Sequence, residues 1–112
     1  MNIIFGDENI NQLEEKYIVL ELDTFRVQDK LTPTYCVIDS ANIGNIKTVE
    51  SNTDLHRNLI KNYKKGDFNF CNQAIGHLRG KFNGELDTFY DEVAKRISSF
   101  PSDKEWDSVI TR

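Results

Sequence analysis

The apolar residues of the chain change their spacing near Thr53, and this change divides the sequence into two kinds of structure. Before it, short apolar runs contain many β-branched and aromatic residues, a pattern typical of β-strands. After it, apolar residues recur every three or four positions, which indicates helices that bury one face. A chain of 112 residues is shorter than the roughly 150 residues expected of one domain. The sequence therefore predicts one α+β domain over 1–112, with a β-rich half (1–39), a loop (40–53) and a helical half (54–112).

Three extended segments are predicted in the β-rich half. Residues 2–6 are apolar and precede a Gly-Asp turn, which is typical of a first strand. Residues 17–27 and 33–39 are expected to pair as an antiparallel hairpin, with Pro33 at a strand start, where no backbone N–H is needed. A short helix over 8–16 joins the first two strands, and its length leaves the orientation of the first strand open. The prediction is a small N-terminal three-stranded sheet with one short helix.

Three helices are predicted in the helical half. The first begins at residues 53–54 and ends at Gly66, because Gly is the usual left-handed residue after a helix. The second begins near Asp67 and the third near Asp87, and both carry apolar stripes at helical spacing. Residues 103–110 place their apolar side chains on one face. The prediction is a C-terminal bundle of three helices and a short docked tail helix.

The charges of the chain form an acidic, a basic and a second acidic block. Residues 1–54 carry four Lys/Arg against ten Asp/Glu, residues 55–84 carry six against one, and residues 85–112 carry four against seven. The basic residues of the middle block are expected on the outer side of the first two helices of the bundle, with aromatic residues among them. We name this surface the basic hairpin, and its members are Arg57, Lys61, Lys64, Lys65, Arg79, Lys81, Tyr63 and Phe82.

The basic hairpin admits three interpretations. Cations interspersed with aromatic rings are typical of nucleic-acid binding, although the chain as a whole is acidic, with a pI of about 5.1. A basic block also complements the acidic surface of another protein or of a second copy, and a three-stranded sheet leaves edge strands free. The third interpretation is a solvated face without a partner.

The leading hypothesis is a non-enzymatic accessory protein that acts through protein–protein contacts and forms a homo-oligomer. The alternative is a nucleic-acid-binding module that uses the helices over 56–82. A further alternative is a small enzyme of unknown class.

No motif of an established enzyme class occurs in the sequence. The cysteines and histidines are too scattered for a zinc site, and both cysteines are expected in the core: Cys36, Cys71, His56 and His77. Gly76, Gly80 and Gly84 surround basic residues, but they close a helix, whereas a phosphate loop opens one. We therefore expect no catalytic residue, no metal and no cofactor.

Glu21 and Asp23 interrupt the most apolar strand of the sequence. A carboxylate acts in acid–base chemistry when its surroundings raise its pKa, usually by removing it from water. The two side chains either point outward at a sheet edge or line a small cleft, and the sequence leaves both arrangements open.

One segment resembles a known family. Residues 63–68 read Tyr-Lys-Lys-Gly-Asp-Phe and are followed by the apolar residues Cys71, Ile75 and Leu78. This pattern resembles the middle of a tetratricopeptide repeat and covers residues 55–80, with departures at Leu59 and Leu78, where that family has small residues. The resemblance implies a helical hairpin with repeat-like packing. Since at least about three repeats are needed for a continuous core, a single copy implies no peptide-binding groove.

The composition and the first residues give expectations about source and location. Eleven Asn, eleven Ile and nine Lys stand against three Ala, as in AT-rich genomes, and the whole chain resembles small uncharacterised proteins of phages or marine bacteria. The sequence begins without the basic and apolar segments of a signal peptide. No apolar run reaches the roughly 18–20 residues of a membrane span. We therefore expect a cytoplasmic protein without a membrane partner.

Overall fold

The sheet and helices are described by a computed structural model over residues 2–15, 17–39, 46–101 and 104–111. Its elements in chain order are β1 (Asn2–Phe5), α1 (Ile10–Glu14), β2 (Tyr17–Val27), β3 (Lys30–Asp39), α2 (Ile46–Lys65), α3 (Phe68–Leu78), a 3-10 turn (Phe82–Gly84), α4 (Asp87–Ser99) and β4 (Ile110–Thr111). The α+β class, the three-stranded antiparallel N-terminal sheet and the helices that follow it are confirmed.

The hairpin of β2 and β3 forms the centre of the sheet. Its turn residues, Gln28 and Asp29, have φ values of 51° and 65°, as in the two-residue turns whose twist matches that of the flanking strands. β1 pairs antiparallel with the other side of β3, so the strand order is β1-β3-β2-β4. Since β1 and β2 are both antiparallel to β3, they run parallel to each other, which resolves the orientation that the sequence leaves open. The short helix α1 packs against β2 with Ile10 buried.

A β-bulge interrupts β2 between Glu21 and Thr24. Here Leu22 and Asp23 stand opposite Thr34 alone, and the Thr34 hydroxyl donates a hydrogen bond to the Asp23 carbonyl at 2.6 Å. An inserted residue breaks the alternation of side chains between the two faces of a strand. As a result, the consecutive side chains of Leu22 and Asp23 both line one cleft between the sheet and α4.

The start of α2 differs from the prediction. The helix begins at Ile46, so the predicted loop over 40–53 is wrong for residues 46–53, while residues 40–45 lie outside the described part of the chain. The end of α2 agrees with the prediction, since Gly66 has a φ of 84°. The Asp67 side chain then accepts a hydrogen bond from the backbone N–H of Phe70 at 3.1 Å and caps α3.

The core lies between one face of the sheet and the inner sides of α2, α3 and α4. Its buried members include Leu20, Leu22, Cys36, Ile38, Leu59, Ile60, Cys71, Ile75, Leu78, Leu86, Tyr90 and Val93. The expected core positions of both cysteines are thereby confirmed.

The C-terminal segment docks as extended chain, so the predicted tail helix is wrong. The residues from Lys104 to Val109 form no helix, and β4 runs parallel to β2. The Trp106 indole N–H donates to the Tyr63 carbonyl, and its ring packs edge-on against Phe68 and Phe100. The side chain of Trp106 therefore anchors the tail to the end of α2 and to the aromatic residues beside it.

Replacing Gly66 with Ala is expected to destabilise the fold by about 1–2 kcal/mol, because a residue with a Cβ is strained at positive φ. In addition, that Cβ would stand 3.0 Å from Cδ1 of Trp106. Gly76→Ala is the matched control. It lies on the exposed side of α3 with nothing within 4 Å of an added Cβ, so it is expected to stabilise the fold by about 0.5–1 kcal/mol. Urea unfolding measures both changes, and a Gly66→Ala protein as stable as the parent would contradict the expectation.

Candidate functional site

The cations of the basic hairpin are divided between two places. Four of them are exposed and share one side of α2, within an arc of about 100°: Arg57, Lys61, Lys64 and Lys65. Arg79 and Lys81 follow the end of α3. Arg57 pairs with Asp54 at 3.7 Å, Lys64 pairs with Glu21, and Arg79 pairs with Asp91 of α4. Half of the predicted cations are thus already matched with carboxylates.

The two aromatic members of the basic hairpin are inside the protein, which corrects the prediction. Tyr63 and Phe82 are each only 2% exposed. Tyr63 follows Leu59 by one helical turn and therefore shares its inward face, and Phe82 lies in the 3-10 turn that packs on the core. Because both rings are buried, neither can stack on a nucleic-acid base. Only the cations therefore still support the nucleic-acid interpretation.

A cleft of about 850 Å³ lies between the sheet and α4. Most of its walls are apolar and come from β1, β2, α4 and the tail: Ile3, Phe5, Phe25, Val27, Phe89 and Ile110. Ile3 and Phe5 pair with Cys36 and Thr34, and Cys36 is a core residue, so both belong to the helix-facing side of the sheet. The sheet therefore extends beyond the helices that cover it, and the uncovered apolar part forms one wall of the cleft.

Asp23 is the polar group that the bulge brings to this cleft. Removal from water raises the pKa of its carboxyl, and the nearby Tyr63 hydroxyl and Arg96 guanidinium offset only part of that effect. Its Oδ1 is buried and has no hydrogen-bond partner among the described residues. The alternatives left open by the sequence are thereby resolved, because Asp23 lines the cleft whereas Glu21 reaches the amine of Lys64.

Arg96 of α4 joins this part of the cleft to the tail. Its Nη1 donates to the Tyr63 hydroxyl at 2.7 Å and to the Ser108 carbonyl at 2.6 Å. Its Nη2 donates to the carbonyls of Asp107 at 2.7 Å and Val109 at 3.3 Å. The guanidinium also stands 5.0 Å from the centre of the Trp106 ring, within the range of a cation–π contact. One side chain therefore holds the tail segment that carries Ile110 to the cleft wall.

His56 occupies a buried position beside the bulge and is 0% exposed. Its Nε2 lies 2.6 Å from the Glu21 carbonyl, which can only accept, so Nε2 carries the proton. Nδ1 therefore accepts from the Tyr90 hydroxyl at 2.9 Å. The pKa of His56 is lowered to about 4, and burial is the main cause. The hydrogen bond to Glu21 raises this pKa in part, and the charge of Arg57 lowers it. The neutral imidazole thus satisfies a carbonyl on the edge of β2 that faces away from β3.

The other candidate groups offer little chemistry at the surface. Burial is the main reason that the pKa of Cys36 and that of Cys71 rise to about 11, so neither thiol is ionised at neutral pH. Within the described residues, no group of three or more His, Cys, Asp or Glu is placed to hold a metal ion. The residues that line the cleft include neither a cysteine nor a histidine.

Sequence reasoning missed most of the cleft. It gave Tyr63 a surface role, assigned Glu92 only a favourable position in the first turn of its helix, and did not single out Arg96. The one available signal was Asp23, a carboxylate within an apolar strand.

Comparisons with known proteins leave the chain without an assigned family. No protein-family description, curated protein or solved structure matches it. The resemblance of residues 55–80 to a tetratricopeptide repeat therefore stays a prediction. In the described ranges, no helix combines the length and the apolar character needed to cross a bilayer.

Proposed function

We propose that the chain is a non-enzymatic accessory protein that acts by binding other protein chains, and that it associates with a second copy through β1. The observation that carries this proposal is the exposure of two apolar side chains on a strand at the edge of the sheet. Phe5 is 67% exposed and Ile3 is 46% exposed, and within the described part of the chain β1 pairs with β3 alone. Strands of this kind readily accept another strand.

The hydrogen-bond pattern of β1 leaves its outer side available. The Gly6 N–H donates to the Pro33 carbonyl at 2.8 Å, so Gly6 is directed towards β3. In an antiparallel ladder this direction alternates from residue to residue. Ile4 therefore bonds to β3, whereas the N–H and C=O groups of Ile3 and Phe5 point to the free edge. A second strand could form hydrogen bonds with the backbone groups of these two residues, whose apolar side chains lie next to them.

The charge blocks support association in a different way. The acidic and basic blocks of one copy complement those of another, but contacts between exposed charges weaken as salt screens them. Strand pairing that buries Phe5 depends much less on salt. The response to salt therefore distinguishes a contact through β1 from a contact through the charge blocks.

Phe5→Glu is expected to weaken self-association at least about tenfold, or 1.4 kcal/mol, because a carboxylate replaces the apolar side chain at the contact. Sedimentation velocity over a range of protein concentrations, at low and high salt, measures the dissociation constant. Leu31→Glu is the matched control, since Leu31 is also exposed but lies at the end of β3 that β1 does not reach. A parent protein that is monomeric at every concentration and salt level would refute self-association, and one that dissociates at high salt would refute the role of β1.

A further inference from the structure

The cleft between the sheet and α4 has the dimensions of a small-molecule site. Its volume of about 850 Å³ falls within the range of roughly 300–1,000 Å³ that is usual for such sites. Apolar side chains supply most of its surface, and its charged and phenolic groups belong to β2, α2 and α4: Asp23, Tyr63, Glu92, Lys95 and Arg96. The other polar lining residues carry hydroxyl groups: Thr32, Thr34, Thr88 and Ser99. Apolar walls with few polar groups select a ligand that has an apolar body and one polar end.

The polar end of that ligand is indicated by what Asp23 lacks. The Tyr63 hydroxyl is hydrogen-bonded to the Asp23 carboxyl, but no cation of the described residues forms an ion pair with it, and Oδ1 has no donor there. Arg96 is near, but its Nη1 and Nη2 both donate to neutral oxygens, those of the Tyr63 hydroxyl and of the tail carbonyls. A buried acceptor without a donor raises the free energy of the fold. A ligand that brings a donor and a positive charge therefore gains the most binding free energy at this position.

We propose that the cleft binds a small primary amine, with its ammonium group held by the Asp23 carboxylate and its apolar body against Phe25 and Val27. An ammonium supplies three donors and one positive charge. Glu92 adds a second carboxylate to the cleft, which Lys95 and Arg96 also line, and the charge of Arg96 lowers the pKa of Asp23 while that of Glu92 raises it. An anionic ligand would have to compete with Tyr63 and the tail carbonyls for the donors of Arg96. The cleft and the β1 contact share Ile3 and Phe5, so the variants that test binding are placed at Asp23 and Thr88, which do not belong to β1.

Three ten-carbon probes that differ only in their polar end test the proposal: decylamine, decanol and decanoate. Isothermal titration calorimetry at neutral pH measures their affinities, at concentrations below the micelle concentrations of the two ionic probes and below the solubility limit of decanol. We expect decylammonium to bind at least about tenfold more tightly than decanol, with decanoate the weakest. Asp23→Asn keeps the shape of the side chain but removes its charge. It should lower the affinity for decylammonium at least about tenfold and the affinity for decanol less than about threefold.

Two further variants act as controls. Asp29→Asn makes the same change in the exposed turn, where the φ of 65° suits Asn, and it should leave all three affinities unchanged. Thr88→Trp places an indole ring in the cleft from the exposed side of α4 and should weaken the binding of all three probes. The proposal is overturned if decanoate binds as tightly as decylamine, if Asp23→Asn leaves the amine affinity unchanged, or if Thr88→Trp does not reduce binding.

Discussion

Lowering the pH from about 7 to about 4 is expected to destabilise the folded chain by about 3 kcal/mol through His56. The ordinary pKa of 6.5 applies to this imidazole in the unfolded chain, whereas burial lowers it to about 4 in the fold. Below pH 6.5 the unfolded state therefore takes up a proton that the folded state does not. Stability is fully present above the unfolded pKa, decreases as the pH falls and levels off below about 4.

Urea unfolding at several pH values between 7 and 4 measures this loss. His56→Gln should be less stable at neutral pH, and its stability should depend less on pH over the same range. His77→Gln is the matched control, since His77 is exposed on α3, and it should keep the full dependence. Asp23 acts in the opposite sense, because its pKa is raised by burial, so its contribution rises as the pH falls. A parent protein and a His56→Gln variant with the same pH dependence would contradict the role of His56.

Arg96→Met is expected to lower the free energy of unfolding by about 3 kcal/mol, because several hydrogen bonds from a charged donor are lost together. It should also release the tail over residues 104–111, whose carbonyls at 107–109 depend on this guanidinium. Arg96→Lys should recover only part of the loss, since an ammonium cannot reproduce the planar arrangement of donors. Trp106 is the only tryptophan, so a shift of its fluorescence towards that of an exposed indole reports release directly.

The neighbouring change, Lys95→Met, is the matched control for Arg96→Met. Lys95 is exposed on the same helix, and its removal should leave the fluorescence of Trp106 unchanged. Amide hydrogen exchange of residues 104–111 provides a second measurement, because a released tail exchanges at the rate of an unstructured chain. An Arg96→Met protein that keeps both the fluorescence and the exchange protection of the parent would show that the tail is held by other contacts.

The elements that depend on local patterns could be predicted from the sequence. The hairpin over β2 and β3 follows from β-branched residues on either side of a polar turn. The junction of α2 and α3 follows from Gly66 and Asp67, because a left-handed glycine and a capping carboxylate act on their own neighbours. These features need no knowledge of the rest of the fold.

The elements that depend on distant contacts could not be predicted. The spacing of Trp106 and Ile110 suits a helix, yet the partners of the tail are Tyr63 and Arg96, which the sequence does not link to it. The first turns of α2 are polar, so their apolar residues show no clear helical spacing. The bulge at Asp23 is visible only once β3 supplies the register, and the cleft cannot be foreseen without it.

The two edges of the sheet differ in how other residues of the chain cover them, and this difference limits how many copies can assemble. On the β2 side, His56 engages a strand carbonyl, and β4 has only two residues. On the β1 side, no described residue pairs with the outer edge of this four-residue strand. Two copies joined about a twofold axis through β1 would bury the available strand of each, so assembly should stop at a closed pair and not extend into a filament.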